Sequence, residues 1–319
     1  MSKILKIIIG IITSTLLIVF IINPELTINS MMQGILLWCT KILPALFPFF
    51  VLTKIISITG TFDYISNKLT PITKLIYKTS GISSYVYICS IISGYPIGSK
   101  MLSELYGLNK IDNNEAKTIM SFTSTSGPLF IIGTVGVGMF NNKTVGYIII
   151  LAHIVGSMLN GIIYSNIYKS KSTPHIYTQN TINLDDIINS SISSIFMVGA
   201  YISLFYMLTS IIDYYNVLNP LFLLINYITK IDINIISSLT YGILEVTKGC
   251  LMLSSINLPI ELQIILSCAL ISFGGICIHL QSYTFIKKCN IPYKTFLLQK
   301  TTQTIISIIL SIILTLTIL

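Results

Sequence analysis

Arginine is absent: all nineteen basic residues are lysine, against eleven acidic ones. Charge of either sign is scarce, at 9 % of residues, where a soluble domain carries about a quarter. With apolar residues at 53 %, this excludes an ordinary soluble domain and points to a chain in lipid. Several apolar runs exceed the roughly 20 residues that cross a bilayer. The net charge of +8 is not a nucleic-acid signature, because most lysines stand at the ends of apolar runs, where cytoplasmic loops carry them; no nucleic-acid partner is expected. The isoleucine, asparagine and lysine usage without arginine suggests an A/T-rich genome. No Cys-x-x-Cys occurs among the six cysteines, and His153, His175 and His279 have no metal spacing; no metal site or cofactor is implied. His-Glu-x-x-His, Gly-x-Ser-x-Gly and Walker signatures are missing too, so an enzyme is not expected.

The lysines serve as a compass. Lys3 and Lys6 place the N-terminus in the cytoplasm. A first span, 4–22, then runs outward and is too long for a signal-peptide core. A loop at 23–30 and a returning span at 31–57 follow, the latter with two prolines in Leu43-Pro-Ala-Leu-Phe-Pro-Phe-Phe50. Residues 58–81 carry Lys68, Lys74 and Lys78 and include an amphipathic, interfacial helix. Lys169 and Lys171 mark a cytoplasmic linker, 167–183. Working back, 144–166 runs inward and 118–140 outward. Residues 82–106 then begin and end on one side, which makes them a re-entrant hairpin with Gly94-Tyr-Pro-Ile-Gly98 at its tip.

The second half echoes the first. Asp63-Tyr64 and Pro71 recur as Asp213-Tyr214 and Pro220. Gly98-Ser-Lys-Met101-Leu-Ser103 aligns with Gly249-Cys-Leu-Met252-Leu-Ser254, and Ser121-Phe122 with Ser272-Phe273, all at offsets of 149 to 151 residues. Spans at 187–212, 260–286 and 296–319 and a second hairpin, 234–255, complete the half. Equivalent elements point in opposite directions. The expected fold is therefore an all-α polytopic membrane protein, an inverted-topology repeat with two re-entrant hairpins and broken helices. Its parts are an extra N-terminal helix and loop (1–30), a first repeat (31–166), the linker (167–183) and a second, inverted repeat (184–319).

Broken helices survive in lipid only where they line protein or a water-filled cavity. Four breaks are expected: the tips Gly94–Gly98 and Glu245–Gly249, Thr123-Ser-Thr-Ser-Gly-Pro128, and Ser272-Phe-Gly-Gly275. Brought together, they would offer a polar solute free amides, half-helix ends and hydroxyls. The candidate binding residues are Gly94, Tyr95, Pro96, Gly98, Lys100, Thr123, Ser124, Ser126, Gly127, Glu245, Thr247, Lys248, Gly249, Gly274, Gly275 and Gln281. The alternative for the serines and threonines is a bond back to their own helix. Glu245 and Lys248, three apart, can pair along one face; the alternative to a binding role is an ion pair that holds the hairpin. Lys100 and Glu104 either bind solute or reach the cytoplasmic interface.

The stretches Ser93-Gly-Tyr-Pro-Ile-Gly-Ser-Lys100, Ser126-Gly-Pro-Leu-Phe-Ile-Ile-Gly-Thr-Val-Gly-Val-Gly138 and Leu244-Glu-Val-Thr-Lys-Gly249 resemble sporulation integral membrane proteins of the YlbJ type, in the nucleoside-recognition, or Gate-domain, family. The resemblance spans essentially the whole chain. It implies a multi-pass protein in a membrane of a spore-forming bacterium. The wider family resembles concentrative nucleoside transporters, which hold solute between two hairpins and two broken helices, and includes the gates of ferrous-iron transporters. The function so implied is a secondary transporter or permease for a small polar solute, nucleoside-like or an ion. A non-transporting scaffold for spore-envelope assembly is the alternative. Expected partners are the bilayer and the solute. A coupling cation, sodium or a proton, and homo-oligomerisation are left open.

Overall fold

The computed structural model describes residues 3–59, 61–169 and 183–319. Among them every regular element is helical. Most of the expected linker, including Lys171 and His175, lies outside the described residues.

The first half begins with α1 (Lys3–Ile22) and α2 (Pro24–Leu37), which meet at a 105° bend. Residues 24–30, expected as loop, are helical. Proline at the first helical position loses no bond there and has the backbone angle a helix start needs, so Asn23 alone makes the corner. A π-helical turn, Trp38–Ile42, leads into α3 (Leu43–Ile58), which continues through Pro48. Then come the short α4 (Thr61–Ile76), the pair α5 (Ile82–Ser93) and α6 (Ile97–Gly107), α7 (Asn113–Thr123), a π-helical segment Leu129–Met139, and α8 (Lys143–Ile167).

The second half comprises long α9 (Leu184–Tyr214), short α10 (Asn219–Thr229), the pair α11 (Ile233–Leu244) and α12 (Val246–Ser255), the broken pair α13 (Ile260–Phe273) and α14 (Gly275–Ile286), and long α15 (Tyr293–Ile318). The spans Lys143–Ile167, Leu184–Tyr214, Ile260–Cys289 and Tyr293–Ile318 are each long and apolar enough to cross a membrane.

The burial pattern is that of a protein in lipid. On α15 the buried face is polar, with Gln299, Lys300, Gln303, Ser307, Ser311 and Thr315 at helical spacing. Its exposed face carries Ile305, Ile309, Ile313 and Leu316. Facing it, α8 buries His153, Gly156, Ser157, Asn160 and Gly161. Lipid is as apolar as leucine, so close approach of small residues and interhelical hydrogen bonds hold such helices together. A Cβ on Gly156 would stand 2.3 Å from Ser307 Oγ. Asn160 Nδ2 donates to Ser121 O at 2.7 Å and Gln299 O at 3.1 Å, tying α8 to α7 and α15. The N-terminal arm packs on α9, where Trp38 lies against Gly199 and its ring stands 5.3 Å from that of Phe196.

Candidate functional site

The first tip is narrower than Gly94–Gly98: the chain leaves helical geometry only at Gly94–Pro96, with a cis Tyr95–Pro96 peptide. Gly94 ends α5 at φ +75°, a region closed to most side chains. The tip is seated on the first break. A Cβ on Gly94 would fall 2.7 Å from Gly127 N, and one on Gly98 2.0 Å from Thr123 O. Ser90 Oγ donates to Thr123 O and accepts from Thr125 Oγ1 at 2.8 Å.

That break has a local cause. Pro128 has no N–H and disfavours helical geometry in the residue before it. The helix therefore stops at Thr123, with Ser124 at ψ 74°, and the wide segment restarts when Ile131 N bonds Gly127 O at 3.1 Å. Thr123, Ser124, Thr125 and Ser126 are all buried. Of the neighbouring hydroxyls only that of Ser121 bonds back to its own helix, at Thr118 O.

The second break, Gly274–Gly275, joins both tips. Gly274 ends α13 at φ +93°, and a Cβ there would lie 3.5 Å from Tyr95 Oη, on the first tip. One on Gly275 would lie 3.1 Å from Gly242 O and Val246 Cγ2, on the helices that flank the second. That second tip is a single residue. Glu245 separates α11 from α12 and caps α12, its carboxylate accepting from Thr247 N at 3.0 Å and Lys248 N at 2.7 Å. Thr247, Lys248 and Gly249 lie in the first turns of α12. The arms touch where Gly249 meets Gly242, 2.2 Å from a Cβ to Gly242 Cα. A cavity of about 570 Å³ lined by Asn234, Ser237, Ser238, Ser255 and Asn257 opens at the far end of this pair, away from the tip.

Two residues outside the expected set stand at the centre. His153, fully buried on α8, accepts from Ser126 N at Nε2 (2.9 Å) and meets Ser272 Oγ at Nδ1 (2.9 Å). Because Nε2 accepts, Nδ1 carries the hydrogen and donates to the serine, so a neutral imidazole ties one break to the other. Lys300, on α15, is 1 % exposed and reaches Tyr95 Oη at 2.6 Å, Gln303 Oε1 at 2.8 Å and Ser124 O at 3.0 Å. The signal for Lys300 was a lysine about two turns inside an apolar helix that begins at Tyr293, which is a functional flag in itself. The signal for His153 was a titratable ring amid isoleucines. Gln303 Nε2 and Ser93 Oγ are buried there without a hydrogen-bond partner.

Four residues singled out from the sequence are not brought in. Lys100 reaches α9 instead, donating to Ser194 Oγ and to Ser190 O, with its ammonium 5.3 Å from the Phe50 ring. Glu104 pairs with Lys54 at 3.7 Å rather than with Lys100. Lys248 does not pair with Glu245: it bonds Asp213 at 3.0 Å and lies 4.3 Å from the Tyr241 ring. Three-residue spacing allowed the Glu245–Lys248 pair, but the carboxylate turns to the free amides of its own helix start, where the helix dipole favours a negative charge. Gln281 bonds Cys277 within α14. The contrast gives a prediction. Glu245→Ala removes a cap and should cost roughly 0.5–2 kcal/mol. Lys248→Met breaks a pair whose Asp213 side chain is 54 % exposed, and should cost only about 0.2–1 kcal/mol. Thermal unfolding of the two variants in detergent checks the order; a larger loss for Lys248→Met would assign the second tip's stability to the lysine.

The Gate family, described as nucleoside recognition, matches residues 39–143, from the π turn through the first tip and break to the start of α8. The sporulation integral membrane protein YlbJ of Bacillus subtilis (strain 168) is 26 % identical over 313 residues, covering 88 % of this chain and 76 % of that protein. No solved structure matches the chain. This chain is a polytopic membrane protein whose residues 39–143 match the Gate family, described as nucleoside recognition, and which is similar to YlbJ along most of its length.

Proposed function

We propose that the chain is a secondary transporter or permease for a small polar solute, nucleoside-like or an ion, working in a membrane of a sporulating cell. The observation that carries this reading is the meeting of the first tip and the two broken helices at His153 and Lys300, with buried polar atoms left unpartnered. Such groups are costly in a bilayer unless they serve a passage or a bound solute. The recurring order of elements fits two inverted repeats, the N-terminus in the cytoplasm and the solute held near the midplane. The pairs α5–α6 and α11–α12 then act as alternating gates, each opening the site to one side.

Purified protein in proteoliposomes, offered a panel of nucleosides, metal ions and small spore metabolites, is expected to take up one class saturably. Glu245→Ala should lower the rate. Protein that inserts and stays folded yet moves none of the panel would favour the scaffold role in envelope assembly.

A further inference from the structure

Lys300 is the buried amine of the site, and its partners are all neutral. They are a phenol oxygen from the first tip, an amide oxygen one turn along α15, and the carbonyl of Ser124. The Tyr95 ring adds its face, 5.1 Å from Nζ. Ion pairs among the described residues lie elsewhere, at Lys54–Glu104 and Lys248–Asp213.

The Ser124 carbonyl is available for a definite reason. In a continuous helix it would accept from the N–H four residues on, and that residue is Pro128, which has none. It also stands just beyond the C-terminal end of α7, where the helix dipole is negative and favours a cation. A carbonyl released by a broken membrane helix, joined by neutral side-chain oxygens, is the kind of ligand set that binds a small monovalent cation. An ammonium has three N–H groups and no lone pair, and three oxygens meet them here.

We propose that the Lys300 ammonium is a tethered cation that fills an oxygen site otherwise suited to a free sodium ion, so that the protein needs no sodium there. The cation is supplied by α15 and cannot dissociate; it can only withdraw when α15 moves relative to the first tip. The inference takes from the proposed function only that tip and break form one site, and its test does not involve transport.

The test is thermal unfolding of the purified full-length chain in detergent, in sodium chloride against choline chloride. Wild type should have the same Tm in both. Lys300→Ala empties the oxygen site: its Tm should be lower in choline and rise saturably with sodium or methylammonium, as binding to the folded state requires. Lys300→Met, whose side chain occupies the space, should show no such rise. A Lys300→Ala protein indifferent to both cations, or a wild type stabilised by sodium as much as that variant, would overturn the proposal. Should Lys300→Ala not fold, Gln303→Glu decides. Beside an ammonium the new carboxylate should leave Tm unchanged or raise it, and in the Lys300→Met background it should lower Tm. A fall in both backgrounds would show that no cation stands at Nζ. Either failure leaves the proteoliposome result, and with it the transporter reading, untouched.

Discussion

Gly98→Val and Gly249→Val are each expected to abolish folded, active protein, while Gly10→Val leaves it intact. The reason is backbone against backbone. A Cβ on Gly98 would stand 2.0 Å from Thr123 O, and one on Gly249 would stand 2.2 Å from Gly242 Cα. Neither neighbour is a side-chain end that can swing away. Overpacking where side chains can adjust costs about 1–3 kcal/mol; here a whole hairpin arm must shift, so the loss should exceed that range. Gly98 moves the first tip off its break, and Gly249 separates the arms of the second pair. Gly10 has nothing within 4 Å of its Cβ position, and Gly10→Val there points into open space. Fluorescence-detected size exclusion and thermal unfolding of the three variants, made side by side, give the answer. A monodisperse Gly98→Val protein of wild-type Tm would mean that the first tip does not sit on Thr123.

His153→Leu is expected to be the most damaging single side-chain change in the core of the site. It keeps the bulk but strands two buried groups, the Ser126 N–H and the Ser272 hydroxyl. Each buried donor or acceptor left without a partner costs about 1–3 kcal/mol, and the two losses fall on the two broken helices at once. Ser272→Ala removes one end of the bridge and leaves the Ser126 bond, so it should lose roughly half as much or less. His153→Gln, which can still accept from Ser126 N–H through its amide oxygen, should be intermediate. Tm values for the series test the order. If Ser272→Ala and His153→Leu were equally harmful, the bridge between the breaks would not be the origin of the loss.

Much of the local structure could be read from residue types. Pro128, Gly94 and Gly274-Gly275 interrupt apolar runs, and helices stop there because the missing N–H or the positive φ belongs to the residue itself. The short pairs at 82–106 and 234–255 were legible from the same breaks and appear at α5–α6 and α11–α12. The polar stripe of α15 could also be found by its spacing. Pro24 was misread because proline breaks a helix interior yet starts a helix well, and composition does not say which role it plays.

By itself the sequence determined an apolar, polytopic, all-helical chain and where its helices break, since these depend on backbone chemistry and on the hydropathy of consecutive residues. The tertiary structure alone decided which charges meet. Lys248 finds Asp213 across 35 residues and ignores Glu245, its neighbour on the same helix turn. Lys300 finds Tyr95 across 205 residues, and His153 finds Ser272 across 119. Such pairings depend on how far each helix is rotated and how deeply small residues such as Gly156 let its neighbour approach. Rotation and depth are set by the packing of all the helices together, a quantity no local window of residues contains.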